Sequence, residues 1–484
     1  MEHSQLVKLI QTLKSDEKAQ ILDFSTIPYF NKGRMKAQVI PLLKACLQHP
    51  WDDPEQRLEK KTLFATVFPG QDYVEGKLEK VMVEANKVVK TFLLTQRYFQ
   101  EENEFNQLID FSEEVKERGL HSLHQQNFAK LQKIQEESAP NSLKYHQRQF
   151  VLEYAKYEAE TVQNQAKGDL NIPQALQALE INYYLNRLIL LNQFLLQQKI
   201  AHLEVPEYVS RLLEGNEVPK EYLEQSISLK INLEVFNLLK KKSPEAADVQ
   251  SLFDVLLAHE NNLDPGSLAD FYAFLRNLCV LSIAGDYEKP EMAYLLHDLY
   301  TDNLSRGYLH SGGKISRSKY MGVANNALFI GKFDWALAFI EQYKHELQDE
   351  NEAQDIYRLN LANYYFKVGR FADCLDTIPD TSPYLLYFLQ GKRLELKSLY
   401  ELDSELLPYK LDAFKMFLSR TSQKLLSDSQ RQIHSEFANL LYQIISSNPG
   451  DPKRSELLTK RIQGKKQAAE WRWLLEKAQA LKGK

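Results

Sequence analysis

Two stretches decide the fold: Tyr320–Ile340, YMGVANNALFIGKFDWALAFI, and Arg358–Ile378, RLNLANYYFKVGRFADCLDTI, which lies 38 residues further on. In each, apolar and small residues recur at helical spacing up to a glycine, and a cation and a phenylalanine follow: Gly331-Lys332-Phe333 and Gly369-Arg370-Phe371. Glycine accepts the left-handed conformation that closes a helix. The aromatic two residues on anchors the start of an antiparallel partner. Alanine stands seven residues before each glycine (Ala324, Ala362), where two helix axes cross closely. A small residue follows five after it (Ala336, Cys374), and isoleucine nine after it (Ile340, Ile378). A poorer elbow of the same form, Gly285-Asp286-Tyr287, precedes them, and a degenerate unit runs from Tyr384 through Asp403 to Phe417.

The rest of the chain agrees with these helix pairs. Its 484 residues exceed one ordinary core, which implies about three domains or an elongated array. Glycine and proline number only 18 and 17, each about 4% against typical values of ~7% and ~5%. Sheet proteins need many glycine-rich turns, so this shortage favours long helices. The only Gly/Ser-rich segment, Ser305–Ser318, reads as a loop and a candidate boundary. Near the N-terminus, Leu6, Val7, Leu9, Ile10 and Leu13 make one apolar face. Val39, Ile40, Leu42, Leu43 and Leu47 make another, and a long helix runs from about Tyr73 to Phe99. From Asn103 to Leu263 the breaks, among them Gly119, Pro140-Asn141, Gly168-Asp169, Gly215-Asn216 and Ser243-Pro244, fall one helical hairpin apart. The expected organisation is an N-terminal helical bundle (residues 1–102), an irregular array of hairpins (103–304), and repeats with a capping helix (305–484). The fold class is all-α, an α-solenoid of helical hairpins.

On these residues the chain resembles the tetratricopeptide repeat. Tyr320, Val323, Ala324, Gly331, Phe333, Asp334, Ala336 and Ile340 fill that family's slots, and Leu361, Ala362, Tyr365, Gly369, Phe371 and Ile378 fill them again. The two best units span about residues 317–380. The offset of 38 rather than 34 lengthens one connection. Arg358 stands where a large apolar residue is usual, and Pro379 cuts the second helix short. The resemblance implies a protein or peptide ligand on a concave face lined by the first helix of each pair. That face would carry Met321, Asn325, Leu359, Asn360, Asn363 and Phe366. Some relatives grip a peptide carboxylate with two lysines, two asparagines and an arginine. Asn325 and Asn360 fall on the asparagine slots, while Met321, Gln390 and Leu394 occupy the others, with Lys319, Lys392 and Arg393 nearby.

Enzyme signatures are missing. Gly312-Gly313-Lys314 is followed by Ile315, so it lacks the hydroxyl of a phosphate loop. His121 and His124 lie three apart without an acidic base or third ligand placed for zinc. Cys46, Cys279 and Cys374 have no metal-ligand spacing. No cofactor is expected. No apolar signal core follows Met1–Gln5, and no stretch approaches ~18 apolar residues, so a cytoplasmic protein is expected. The rival to a binding scaffold is a DNA- or RNA-binding regulator. It would use the helix carrying Lys77, Lys80, Lys87, Lys90 and Arg97, or the basic C-terminal helix with Trp471-Arg472-Trp473. On the first of these Glu75, Glu79 and Glu84 interleave with the lysines, which suits intrahelical pairing. On the second, residues 451–484 hold ten Lys or Arg against four Asp or Glu, +6 in a chain of net charge −5, so residues 1–450 carry −11. Trp471, Leu474, Leu475, Ala478 and Leu481 share one face of that helix, as a cap on the last hairpin would.

Overall fold

The computed structural model describes residues 4–51, 58–163, 170–201, 203–215, 217–242, 244–285, 290–348, 352–379 and 384–483. Asp286 and Tyr287 of the first elbow lie outside these residues, as do Gly168-Asp169, Asn216 and Ser243. Twenty-four α-helices account for most of the described residues, and none of them is long and apolar enough to cross a membrane. The helices fall into two compact units, residues 1–138 and 139–484. The expected boundary at 102/103 lies within the first unit and that at 304/305 within the second.

The first unit contains α1 (Gln5–Gln11), α2 (Ser15–Thr26), α3 (Lys36–Gln48), α4 (Lys60–Val67), α5 (Lys77–Tyr98), α6 (Glu104–Glu117) and α7 (His121–Glu137). Helix α5 is its axis. Leu78, Val81, Ala85, Val88, Val89 and Phe92 recur at three- and four-residue spacing, and this stripe is buried against α1 to α4. Gly119, with φ +71°, closes α6 and starts its antiparallel partner α7.

The second unit begins with α8 (Leu143–Gln163), α9 (Ile172–Ala201), α10 (Glu207–Glu214), α11 (Lys220–Gln225), α12 (Ile227–Lys240), α13 (Ala246–His259), α14 (Pro265–Gly285) and α15 (Glu291–Ser305). One continuous core runs from Ile181 to Leu359. The Ser305–Ser318 segment, expected as a loop, carries a two-stranded hairpin, β1 (His310–Ser311) and β2 (Lys314–Ile315). Gly312 and Gly313 both take positive φ there, 58° and 74°, as a type I′ turn demands. The hairpin is packed in: Leu309 and Ile315 are fully buried, and the Gln348 N–H donates to the Ile315 carbonyl at 3.1 Å.

Then follow α16 (Arg317–Phe329), α17 (Phe333–Tyr343), α18 (Ala353–Lys367), α19 (Phe371–Thr377), α20 (Leu385–Glu401), α21 (Leu407–Arg420), α22 (Asp428–Ile445), α23 (Pro452–Gln463) and α24 (Trp471–Ala480). From α16 to α20 each helix touches the next, and α16, α18 and α20 also touch in succession. Gly331 and Gly369 take φ of 78° and 79°. The Lys332 N–H reaches the Ala327 carbonyl at 2.9 Å, and the Arg370 N–H reaches Tyr365 at 2.8 Å. Both are six-to-one bonds that satisfy a terminal carbonyl. Asp403 does the same work without being glycine: its φ is 51°, and the Ser404 N–H donates to Leu399 at 3.0 Å. Tyr320, fully buried, ties α16 to α17 by donating its hydroxyl to the Ile340 carbonyl at 2.7 Å.

A Cβ on Gly369 would meet nothing within 4 Å, so only backbone strain opposes a side chain there. Gly369→Ala is therefore expected to destabilise the fold by about 1 kcal/mol, and Asp403→Gly to leave it equal or more stable by a few tenths of a kcal/mol. Urea denaturation of the two variants checks both signs.

Candidate functional site

The three elbows place three unlike side chains at one equivalent position, two residues before the left-handed residue: Phe329 on α16, Lys367 on α18 and Glu401 on α20. Helix α24 and the residue before it lie across them. Together these elements wall a cleft of about 570 Å³, lined also by Phe366, Phe371, Lys397, Trp471, Arg472 and Trp473.

Helix α24 is fixed from below by its apolar face. Leu474 and Ala478 are fully buried against α22 and α23, and Leu481 is 4% exposed. The Ser455 hydroxyl donates to the Ala478 carbonyl at 2.7 Å, and the Gly450 N–H donates to Leu481 at 2.9 Å. The basic C-terminal helix starts only at Trp471, because Glu470 before it sits at φ 54°.

That left-handed residue delivers a carboxylate to α20. Glu470 accepts from Lys397 Nζ at 2.7 Å and Arg393 Nε at 3.2 Å. Burial alone pushes the Glu470 carboxyl up, but the adjacent Lys397 and Arg393 outweigh it and hold the pKa at about 2. Arg393 also lies 3.1 Å from His434 Nδ1. Burial, then the Arg393 charge, lowers the His434 pKa to about 4, so the ring is neutral. At the far end of the cleft, Glu401 accepts from Trp473 Nε1 at 2.7 Å and Lys477 Nζ at 2.7 Å.

The aromatic walls are partly open. Phe329 is 38% exposed, with the Arg472 guanidinium 5.4 Å from its ring centre, and Phe366 stacks edge-on to Phe371 at 5.4 Å. The Lys397 ammonium lies 4.3 Å above the Phe366 ring. Lys367 differs from its neighbours: it makes no hydrogen bond or ion pair among the described residues. It remains exposed to water, yet the cleft walls desolvate its ammonium and Lys397 and Arg472 repel it, so its pKa is lowered.

The residues expected on a concave face are scattered by comparison. Met321, Leu359 and Asn360 are 6%, 2% and 1% exposed and face neighbouring helices, not a ligand. Leu359 packs against α20 beside Gly391, and Asn360 donates to the Ile356 carbonyl of its own helix at 2.7 Å. Asn363 donates to Asn325 at 2.8 Å, joining α18 to α16. Lys319 donates to the Leu309 carbonyl at 3.1 Å, and Lys392 pairs with Glu395 at 2.9 Å. Of the nine, Phe366 lines the cleft, and Arg393 does grip a carboxylate, but one supplied by Glu470 of the same chain. Sequence reading marked Trp471-Arg472-Trp473 and missed Lys367, Glu401 and Glu470. Their common signal is the position before an elbow or at a helix start.

A second candidate lies in the first unit, on α5. The expected pairing of its lysines with Glu79 and Glu84 is not found among the described residues. Glu79 pairs with Lys60 at 2.9 Å, and Glu84 accepts from the Met35 N–H at 2.8 Å, at the start of α3. Lys80, Lys87, Lys90 and Arg97 are exposed without a carboxylate partner among the described residues. At 100° per residue they share one face about 100° wide with Val83 and Leu94. Three of the C-terminal cations differ: Lys477, Lys465 and Lys460 pair with Glu401, Glu436 and Glu456.

Comparison with known protein families, with curated proteins and with solved structures finds no match to this chain.

The Glu470 pairing has a pH signature. A carboxyl held below its ordinary 4.5 contributes stability above that value and loses it as pH falls toward about 2. His434, kept neutral to about 4, instead weakens the fold as pH falls from 6.5, because the unfolded chain protonates first. Glu470→Gln is expected to lower stability at pH 7 by about 1–3 kcal/mol, since Arg393 and Lys397 lose their counter-ion. It should also flatten the loss below about pH 4.5 while sparing the decline from 6.5. Urea titrations of both proteins across this range distinguish the two windows.

Proposed function

We propose that this chain is a tetratricopeptide-like helical-repeat protein that binds a segment of a partner protein in the cleft between α16, α18, α20 and α24, and that it is a binding scaffold rather than an enzyme. The observation carrying this reading is the cleft's composition. Five aromatic rings offer apolar contact, and Lys367 is left without an acceptor among the described residues. A peptide with a carboxylate to meet Lys367 and an apolar side chain to lie on Phe329 and Phe366 matches both features. Burying one large side chain contributes roughly 1.5–3 kcal/mol, and a charge-assisted hydrogen bond a similar amount. A short segment making two or three such contacts reaches useful affinity.

The test is affinity capture from native lysate with the wild-type chain and with Lys367→Glu, followed by binding measurements on the captured protein and its fragments. Lys367 holds no ion pair among the described residues, so the variant should fold. It should lose the specific partner at least about tenfold, a difference of about 1.4 kcal/mol. Trp471 and Trp473 fluorescence should respond when the partner segment binds. A partner bound equally by wild type and Lys367→Glu, with silent tryptophans, moves binding away from the cleft.

A second reading rests on the exposed face of α5. Four cations unmatched by carboxylates, over about 26 Å of helix, suit a nucleic-acid phosphate backbone. If this face binds DNA or RNA, Lys87→Glu with Lys90→Glu should weaken binding across all sequences and lower the salt slope by about 2. Capture that vanishes with nuclease in wild type would favour this reading over the cleft. Binding that ignores salt would remove it.

A further inference from the structure

Helix α9 buries one face in the core of the second unit through Ile181, Leu185, Leu188 and Asn192. Its opposite face is the unusual one. Ile172, Leu176, Leu179, Tyr183 and Leu190 are 43%, 55%, 39%, 49% and 70% exposed. Their spacings are four, three, four and seven, a heptad pattern in which Asn186 fills the remaining place. A solvated helix face carries charge in these positions, whereas a stripe repeating every 3.5 residues is the seam at which one helix meets another. We propose that a second copy of this chain docks its own α9 on this seam, antiparallel, in a two-fold dimer.

The choice of occupant and direction rests on two charges that flank the stripe. Glu180 has no hydrogen bond or ion pair among the described residues. Arg187 makes only long bonds, 3.3 Å to the Leu212 carbonyl and 3.4 Å to both the Gly215 carbonyl and the Tyr183 hydroxyl of its own helix, and its Nε is buried without an acceptor. In an antiparallel pair centred between Tyr184 and Leu185, Leu179 packs on the other copy's Leu190, and Tyr183 meets its Asn186. The same register sets Glu180 opposite the other copy's Arg187, and the two-fold axis repeats that pair. A parallel pair instead sets Glu180 against Ala175 and Arg187 against Asn182, with no charges matched. Self-complementarity of this kind is what an isologous interface requires, where residue i meets j and j meets i. Asn186, the polar member of the seam, fixes the register at some loss of stability.

The experiment is sedimentation of the full chain across a concentration series. Wild type should approach twice the mass of one chain, and Leu190→Asp should sediment as one chain with an unchanged melting temperature. Glu180→Arg and Arg187→Glu should each weaken association by at least about tenfold, and the double variant should restore it. Leu179→Cys combined with Leu190→Cys should give a disulfide-linked dimer on oxidation, and Leu179→Cys alone should not. A wild-type chain that stays single at every concentration overturns the proposal, and protection of α9 from hydrogen exchange in that monomer would assign the stripe to another part of the same chain. A dimer unaffected by Leu190→Asp, or a double charge variant no better than the singles, overturns it equally.

Discussion

An antiparallel helix partner can begin within a few residues only if one residue turns left-handed and the last carbonyls of the first helix still find donors. That constraint is met at Gly331, Gly369 and Asp403, and much of the second unit follows from it. Each elbow fixes where α16, α18 and α20 stop, so the residues two before the elbow come to equivalent positions. Phe329, Lys367 and Glu401 thus align although nothing in their chemistry is alike. At a helix C-terminus a cation is favoured and an anion is not. Glu401, an anion in that position, has two donors, Trp473 and Lys477.

Charge then decides how the cleft is closed. Glu470 is the counter-ion that Arg393 and Lys397 share. A pair this covered contributes little net stability, because desolvating the ions offsets their attraction, but removing one member is expensive. Its consequence is positional: it pins the start of α24 over α20 and aims Trp471 and Trp473 at the cleft. The apolar face of α24 supplies the holding energy through Leu474, Ala478 and Leu481, while the ion pairs set where it sits.

The helices and elbows were legible because their signals are local. A glycine followed by an aromatic, or an apolar stripe such as that of α5, involves residues within a few turns of each other. Even Asp403 stood inside a recognised degenerate unit, although nothing about an aspartate announces positive φ. The site was less legible, since its contacts are distant in sequence. Glu470 meets Arg393 across 77 residues, and Glu84 reaches Met35 across 49. A one-dimensional pattern sees Glu84 four residues from lysines and infers intrahelical pairing. Asn360 failed differently. The slot it was given in the repeat implies a groove, yet Asn360 and its neighbour Leu359 are buried where α18 meets α20.

The uneven charge of the chain takes on a different meaning once the partners are known. In the basic C-terminal stretch Lys465 and Lys477 pair with carboxylates elsewhere in the same unit, Glu436 and Glu401. The α5 face is the reverse case: its helix holds glutamates, yet these turn to Lys60 and Met35 and leave the cations outward. With a Debye length of about 8 Å at physiological salt, a polyanion feels that local face and not the chain's net −5. Counting charges along a sequence misses this, because what matters is which carboxylates the fold has already engaged.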